Sequence, residues 1–285
     1  MMKFDYKLLE ALSAVLEQQS FEQAAAKLFI TQSAVSQRIK LLEESIGQPV
    51  IVRSQPIRVT SAGEKLLSHY KMVRQLENAL VPDLLPDAPT KPVKIALAVN
   101  ADSIATWFLD AIAPILKHNL VELDLIVRNE AKTVEKLRSG EAVGAVTSQK
   151  KPLPGYQSFE LGAMEFILVA SPDFKQRYFS DGLTKQALRY APGISYDPND
   201  DMHVRFIFKH FKIESRDYYC HSVGSSQAFV DLAKKGIAYC LIPRLQIKDE
   251  LASGELINLC PDKTSIEKLY WHSWVLVRGI NKKLS

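Results

Sequence analysis

The sequence predicts an all-α N-terminal module that ends in one long helix, followed by an α/β C-terminal domain. Apolar residues recur at helical spacing through roughly the first 80 positions. The segment 81–92 then holds four prolines in twelve residues, which is typical of a stiff, extended domain boundary. Beyond it, short apolar runs typical of strands alternate with amphipathic helical patterns. A chain of 285 residues is long enough for two or three such domains.

The composition is that of an ordinary globular protein. Apolar residues make up 47% and charged residues 24% of the chain, with no apolar run of membrane-spanning length and no signal core. We therefore expect a cytoplasmic protein, nucleoid-associated if it binds DNA, with no membrane contact. Cys220, Cys240 and Cys260 lie far apart, which favours reduced thiols. His203 and His210 lack the close spacing of zinc motifs and no nucleotide or nucleophile motif is present, so no metal, cofactor or enzyme activity is expected.

Three helices are predicted before residue 47. The first begins near Tyr6, Ser20 caps a short second helix, and Thr31 caps the third. Phe29 and Ile30 are expected to be buried in the turn between the last two helices. On the third helix, four apolar side chains share one face and are expected to enter the core: Val35, Ile39, Leu42 and Ile46.

The opposite face of the third helix is polar. Its glutamine and arginine side chains carry donors and acceptors that suit base edges, while its hydroxyls and N-terminal amides suit phosphates. Residues 27–58 hold five basic and two acidic side chains, a local excess that favours contact with DNA phosphates. The pattern predicts a recognition helix of a helix-turn-helix, although the solvated face of a small helical bundle would show the same spacing.

A wing is predicted beside the third helix. Two short strands, 50–53 and 57–59, would place Arg53 and Arg58 next to a DNA duplex. The residues expected to contact DNA are Thr31, Gln32, Ser33, Ser36, Gln37, Arg38, Lys40, Arg53 and Arg58.

A long helix follows the wing. Thr60 is expected to cap a helix over 61–81 that Pro82 terminates. Its apolar stripe, which includes Leu66 and Tyr70, has no evident partner within so small a module. Since unpartnered apolar stripes on long helices favour association, we expect this helix to form a dimer interface.

Short polar side chains mark candidate ligand contacts in the C-terminal domain. Open parallel sheets bind ligands at the carboxyl ends of their strands, where helix N-termini direct amides toward the site. Each such residue is also a plausible helix cap, so convergence on one cleft is what would favour a binding role. The candidates are Asp102, Ser103, Thr106, Thr147, Asp200, Asp201, Ser225 and Ser226.

The N-terminal residues match a family pattern. The motif F-x-x-A-A-x-x-L-x-x-T-Q-S-A-V-S-x-x-I-x-x-L-E runs from Phe21 to Glu43, followed by G-x-x-x-x-x-R from Gly47 and T-x-x-G from Thr60. This pattern resembles the LysR-type transcriptional regulators, which bind DNA through a winged helix-turn-helix. Residues 51–52 are Ile-Val where the family usually has Leu-Phe, a conservative departure.

The resemblance extends through the C-terminal domain. GIAYCLIP from Gly236 and ELASGELINL from Glu250 resemble the family's two-lobed, periplasmic-binding-protein-like effector domain. The segments 99–107, 200–203 and 270–272 resemble its lysine- and arginine-responsive branch. That branch controls amino-acid exporters and lysine or arginine metabolism, so the resemblance implies L-lysine or L-arginine as the small-molecule effector.

The resemblance also implies a domain organisation. A DNA-binding domain is expected over 1–60, a linker and dimerisation helix over 61–81, a hinge over 82–92, and an effector-binding domain over 93–285. Within the last, subdomain I is expected at about 93–163 and 267–285, and subdomain II at about 164–266. The expected partners are promoter DNA with an interrupted palindrome, the effector, a homodimer or homotetramer, and RNA polymerase as a further candidate.

The candidate contacts suit a basic amino acid. Ser103, Thr106 or Thr147 with helix-terminal amides would hold its carboxylate, while Asp102, Asp200 and Asp201 would hold its cationic end. We expect Asp200→Ala or Asp201→Ala to weaken effector binding and leave DNA binding intact. Three other functions remain open: a solute-binding module without a DNA role, an enzyme on the two-lobed fold, and a LysR-type regulator of a different small metabolite.

Overall fold

The computed structural model describes residues 4–84, 92–118, 120–128, 130–196, 201–214 and 218–274. Its N-terminal module is a winged helix-turn-helix, as the sequence predicts. The elements are α1 (Tyr6–Gln18), α2 (Phe21–Leu28), α3 (Gln32–Ile46), β1 (Ile51–Val52), β2 (Arg58–Val59) and α4 (Ser61–Leu84). The two predicted caps are formed: the Ser20 side chain accepts a hydrogen bond from the Gln23 amide, and the Thr31 side chain accepts one from the Ala34 amide.

The core of this module lies between α1, α3 and α4. Val35, Ile39 and Leu42 of α3 are buried in it, which confirms the predicted inward face, while Ile46 packs at its edge. Leu66 and Tyr70 of α4 belong to the same core. These two residues therefore have a partner inside the module, contrary to our expectation, because α4 folds back along α1.

Phe29 is the clearest departure from the expected core. Its side chain is 95% exposed, whereas the sequence suggested burial in the turn, and Ile30 is half-buried. Phe29 caps the C-terminus of α2 in the left-handed region at a φ of 55°. This backbone conformation reverses the chain direction at the cap and leaves the ring in solvent.

The start of α4 explains the T-x-x-G motif. The Thr60 hydroxyl accepts a hydrogen bond from the Gly63 amide at 3.2 Å and donates to the Pro49 carbonyl at 2.7 Å. A Cβ at Gly63 would lie 2.1 Å from the Val50 carbonyl oxygen, so a side chain there is excluded. The threonine and the glycine thus fix the long helix against the wing.

Helix α4 continues through Pro82 to Leu84, three residues beyond its predicted end. A proline in the last turn removes only one helical hydrogen bond, and the helix stops two residues later. The predicted hinge 82–92 lies mostly outside the described residues. Even α4, with 24 residues, lacks the apolar length to cross a bilayer, and so do the other helices that the structure describes.

The C-terminal domain is an α/β structure with a mixed sheet. Its first half contains β3 (Val93–Val99), α5 (Ala101–Ser103), a π-helical turn (Ile104–Phe108), α6 (Leu109–His118), β4 (Val121–Val127), α7 (Glu130–Arg138), β5 (Gly144–Thr147) and β6 (Tyr156–Ala170). The second half contains α8 (Pro172–Tyr178), α9 (Lys185–Tyr190), β7 (Gly193–Ser195), α10 (Met202–Phe211), β8 (Cys220–Ser222), α11 (Ser226–Lys234), β9 (Cys240–Pro243), a 3₁₀ turn (Arg244–Ile247), α12 (Lys248–Ser253), β10 (Ile257–Asn258) and β11 (Ser265–Trp274).

Only part of the sheet is parallel. Strand β3 pairs in parallel with β4 and β5, and β7 with β8, but β6, β9, β10 and β11 form antiparallel pairs. Alternating strands and helices predict parallel sheets, so the antiparallel pairs depart from what the sequence pattern indicates. Strand β6 extends well beyond its apolar run at 166–170, and its first eight residues are partly or fully exposed and lack a continuous apolar signal.

Strands β6 and β11 run through both lobes. One end of the pair packs with β3, β4 and β5 of subdomain I, called lobe I from here on. The other end packs with β9 and β10 of subdomain II, called lobe II. Their pairing shifts register between Leu269 and Tyr270, and Gly162 opposite has a φ of 130°. The predicted subdomain boundaries at 163/164 and 266/267 fall within these two strands, close to this irregularity.

Candidate functional sites: the recognition helix and the interlobe cleft

Helix α3 presents the polar surface that the sequence predicts. Thr31, Gln32, Ser33, Gln37 and Lys40 are exposed, and Ser36 and Arg38 are half-buried. Their glutamine, arginine and lysine side chains have the length and the hydrogen-bonding groups to contact base edges and phosphates.

The wing carries two exposed arginines. The guanidinium of Arg53 lies 5.2 Å from the ring centroid of Phe21, at the start of α2, so a cation–π contact holds it beside the helix-turn-helix. Arg58, on β2, is exposed on the same hairpin. The hairpin thus brings two cations to the edge of the polar α3 surface, where a DNA backbone would pass.

A cleft between the two lobes forms the second candidate site. The cavity itself has a volume of about 40 Å³, and the space that includes its open mouth is about 520 Å³. Lobe I contributes the carboxyl ends of β3 and β4 and the start of the helical run 101–118, as expected for an open sheet. The lining residues are Asn100, Ala101, Asp102, Arg128, Phe166, Ile194, Tyr196, Met202, His203, Ser226, Phe229 and Leu241.

Asp102 and Ser226 meet across this cleft. The Ser226 hydroxyl donates to Asp102 Oδ1 at 2.7 Å, and the side-chain amide of Gln246 lies 2.9 Å from the same hydroxyl. A hydroxyl has one proton, and Gln246 Nε2 has no other partner among the described residues. We therefore assign the Gln246 side-chain amide with its nitrogen toward Ser226. In this orientation Gln246 Nε2 donates to the Ser226 hydroxyl, and the hydroxyl donates to Asp102. This chain of hydrogen bonds joins the lobes.

The structure places the other predicted contacts outside the lining of the cleft. Thr106 Oγ1 donates to the Asp102 carbonyl at 2.6 Å within its own helix, and Thr147 Oγ1 accepts from the Gln149 amide at 3.1 Å. Ser225 caps α11, and the Ser103 side chain is fully buried. Since their hydroxyls serve local structure or lie in the interior, these four residues do not converge with Asp102 and Ser226.

Asp201, directly before α10, also lies outside the cleft lining. The Asp201 side chain is 70% exposed and pairs with Arg205 at 3.3 Å, one turn along the helix. Asp200 lies outside the described residues. The structure therefore leaves Asp102 as the carboxylate that faces the cleft from the described part of the chain.

Ten of the twelve lining residues were not predicted as ligand contacts, and three of them carry nitrogen-containing polar side chains. Arg128 directly follows β4 and is exposed, with Nη1 donating to the Val127 carbonyl at 2.7 Å. Asn100 follows β3, and His203 is the second residue of α10; both are almost completely buried. The strand-end rule that selected Asp102 also applies to Asn100 and Arg128, so the sequence carried a signal for both.

Two of the three thiols of the domain are poorly suited to chemistry. Cys240 and Cys260 are buried, and burial raises the pKa of Cys240 far above its usual value and that of Cys260 to about 11. Thiolates are therefore scarce at neutral pH. Among the residues that the structure describes, no three His, Cys, Asp or Glu side chains are grouped to hold a metal ion.

Both halves of the chain match family models. Residues 6–64 match the bacterial regulatory helix-turn-helix protein of the lysR family, and residues 88–278 match the LysR substrate binding domain. The HTH-type transcriptional regulator ArgP of Aeromonas salmonicida is 51% identical over 285 residues, which cover 100% of this chain and 95% of the relative. ArgP of Photobacterium profundum is 50% identical over 281 residues, covering 99% and 94% respectively.

Two solved structures share the complete architecture. ArgP from Mycobacterium tuberculosis superposes with a TM-score of 0.85 at 35% identity, covering 99% of this chain and 95% of that chain. Full-length LysG from Corynebacterium glutamicum with bound effector Arg gives a TM-score of 0.78 at 29% identity, with the same coverage. Together with the fold and the recognition helix, these matches show that the chain belongs to the LysR family of bacterial DNA-binding transcriptional regulators.

Proposed function

We propose that this regulator controls genes of amino-acid export or metabolism in response to L-arginine or L-lysine bound in the interlobe cleft. The observation that carries the proposal is that one carboxylate, Asp102, and one guanidinium, Arg128, both line the interlobe cleft. The names of the relatives point the same way, since LysG was solved with arginine as its effector.

The cleft offers opposite charges to a zwitterion. Arg128 can bind a carboxylate through two parallel N–H donors, and the N-terminus of the helical run 101–118 adds a favourable dipole on the same wall. Asp102 can accept from an ammonium or guanidinium group. Arg128 lies on lobe I together with Asp102, so a ligand held by both also presents its remaining groups to lobe II.

Closure of the lobes is the proposed switch. Ser226 of lobe II already bonds Asp102 of lobe I, so a cationic ligand at Asp102 competes with or extends that contact. A ligand shifts an equilibrium between lobe arrangements only by its differential affinity for them. We propose that this shift changes the geometry of the attached DNA-binding units.

The proposed DNA-binding surface consists of α3 and the wing. We propose that the exposed face of α3 enters the major groove, with Gln32 and Arg38 as candidate base contacts and Arg53 and Arg58 on the backbone. Leu67, Val73 and Leu76 of α4 are half-buried and supply an apolar stripe for a second copy. A dimer through α4, and a tetramer through further contacts, would then bind half-sites of an interrupted palindrome.

Calorimetry on the full chain tests the effector. Arginine or lysine should bind, and Asp102→Asn should weaken binding about tenfold to a hundredfold, because a hydrogen bond to a charged group contributes about 1.5–3 kcal/mol. Asp201→Asn is the control, since that carboxylate is exposed and pairs with Arg205. If neither amino acid binds while another metabolite does, the chain is a LysR-type regulator of a different effector.

A further inference from the structure

Gln246 belongs to the chain of hydrogen bonds that joins the lobes but, unlike Asp102 and Ser226, it does not line the cleft. Gln246 is half-buried, and Ser226 is 7% exposed. The Gln246 side chain lies 2.9 Å from the Ser226 hydroxyl, which in turn lies 2.7 Å from Asp102 Oδ1. Gln246 therefore acts on a ligand at Asp102 through Ser226 and not by direct contact.

The 3₁₀ turn that carries Gln246 is anchored in lobe II and packed on lobe I. Arg244 in this turn donates to the Glu165 carboxylate of β6 through Nε at 2.6 Å and Nη2 at 3.3 Å, and Ile247 is completely buried. The turn also lies against the π-helical turn Ile104–Phe108 of lobe I. The backbone of Gln246 is thus fixed relative to both lobes, and its side chain is a preorganised partner for the hydroxyl.

The orientation of the Gln246 amide decides where the single proton of the Ser226 hydroxyl points. With Nε2 toward Ser226, the hydroxyl oxygen accepts a hydrogen bond from Gln246, and its proton is directed to Asp102 Oδ1. A hydroxyl that accepts one hydrogen bond is also a stronger donor in the next, because successive hydrogen bonds polarise one another. Gln246 thereby holds Ser226 as a donor to the carboxylate.

The Asp102 carboxylate can accept from Ser226 and from a cation at the same time. A carboxylate has two oxygens with about four lone-pair positions, and Ser226 uses one position on Oδ1. An ammonium or guanidinium group therefore does not need to displace the hydroxyl. Turning the Ser226 proton away from Asp102 is unfavourable, because Gln246 Nε2 is a donor and cannot accept it.

We propose that Gln246 is a positioning residue that holds Ser226 as a donor to Asp102, so that the cationic effector adds to the contact between the lobes and does not replace it. This inference rests on the proposed effector class and specifies how that effector acts on the cleft. If the ligand replaced Ser226 instead, the hydroxyl would compete with it for the carboxylate. The two cases differ in sign: removing the hydroxyl weakens effector binding in the first and strengthens it in the second.

Calorimetry with L-arginine and L-lysine on the full chain measures this sign. Gln246→Leu removes the donor and keeps most of the side-chain volume, and it should lower effector affinity about twofold to tenfold, the range that one hydrogen bond between neutral groups supports. Ser226→Ala should lower it by at least as much. The double variant should bind no more weakly than Ser226→Ala, because Gln246 acts through the hydroxyl. A general loss of structure in Gln246→Leu would instead add to the effect of Ser226→Ala.

Gln227→Leu is the matched control. Gln227 follows Ser226 in α11, and its side chain donates to Asp231 at 3.3 Å, outside the cleft lining. This variant should bind the effector as the wild type does. Unchanged or higher effector affinity in Gln246→Leu or in Ser226→Ala would overturn the proposal, and so would fully additive losses in the double variant.

Amide hydrogen exchange of the effector-free chain separates the positioning role from the effector class. Gln246→Leu weakens the contact between Ser226 and Asp102, so exchange should become faster at the start of α11 and in the π-helical turn, whereas Gln227→Leu should leave the π-helical turn unchanged. If the wild type binds neither arginine nor lysine, the proposed effector class is refuted. Faster exchange in Gln246→Leu would then still support the positioning of Ser226, and unchanged exchange would overturn it.

Discussion

Gly140 lies where the C-terminal domain touches the long helix α4. Ser68 Oγ on α4 donates to the Arg138 carbonyl at 2.7 Å, and Gln75 Nε2 reaches the Gly140 carbonyl at 3.4 Å. A Cβ at Gly140 would lie 3.0 Å from the Ser68 carbonyl oxygen and 3.3 Å from Lys71 Cβ. Alanine at Gly140 therefore crowds α4, and the contact has to yield by a few tenths of an ångström.

Gly254 provides a matched control for the backbone effect. Its φ is 78°, close to the 66° of Gly140, but a Cβ there would have no atom within 4 Å. Alanine in this left-handed region costs about 1–3 kcal/mol in either place. Only Gly140→Ala adds the overpacking against α4, typically about 1–3 kcal/mol. The difference in unfolding free energy between the two variants therefore measures the cost of crowding the contact between Gly140 and α4.

Urea unfolding of both variants measures that difference. We expect Gly140→Ala to lower the free energy of unfolding by about 1–3 kcal/mol more than Gly254→Ala. If the domain instead moves away from α4, small-angle scattering should show a larger radius of gyration for Gly140→Ala alone. Equal stabilities together with equal radii would refute the docking of α4 on the C-terminal domain.

Three further outcomes follow from the two sites. Arg38→Ala should cost about 1–3 kcal/mol of operator affinity in anisotropy titrations and relax base preference; unchanged selectivity would remove it from base recognition. Ser226→Ala removes the bond to Asp102, so scattering of the effector-free chain should show a more open C-terminal domain, whereas an unchanged profile would show that the bond does not hold the lobes. Iodoacetamide at pH 8 should label half-buried Cys220 but spare Cys240, because burial raises the pKa of the Cys240 thiol; equal labelling would contradict that burial.

The recognition helix was predictable because its determinants are local. The Thr31 hydroxyl caps α3 in the expected place, and helical spacing alone assigns Val35 and Ile39 to the core. The pattern T-x-x-G reflects a contact between Thr60, Gly63 and the preceding strand. Because these residues are close in the chain, their spacing can be recognised in the sequence. Short-range geometry therefore makes most of the N-terminal module predictable from the sequence.

The cleft depends on contacts that the sequence does not encode locally. Helix starts and strand ends selected Asp102 and Ser226, but the same rules selected Thr106 and Ser225, whose hydroxyls serve neighbouring backbone groups. Whether a hydroxyl caps its own helix or faces a ligand depends on the opposite lobe. His203 is a cleft residue only because tyrosines and β7 enclose its ring, which its sequence neighbours do not reveal.

The proposed switch couples DNA binding to the effector that occupies the interlobe cleft. An electrophoretic mobility-shift titration can test it with an operator recovered by in vitro selection, since this assay reports both the binding midpoint and the mobility of the complex. With the wild type, saturating arginine or lysine should change one or both, whereas Asp102→Asn should bind the operator equally well without effector and respond only at much higher effector concentration. An identical effector response in Asp102→Asn and the wild type, or no response in the wild type, would contradict the account.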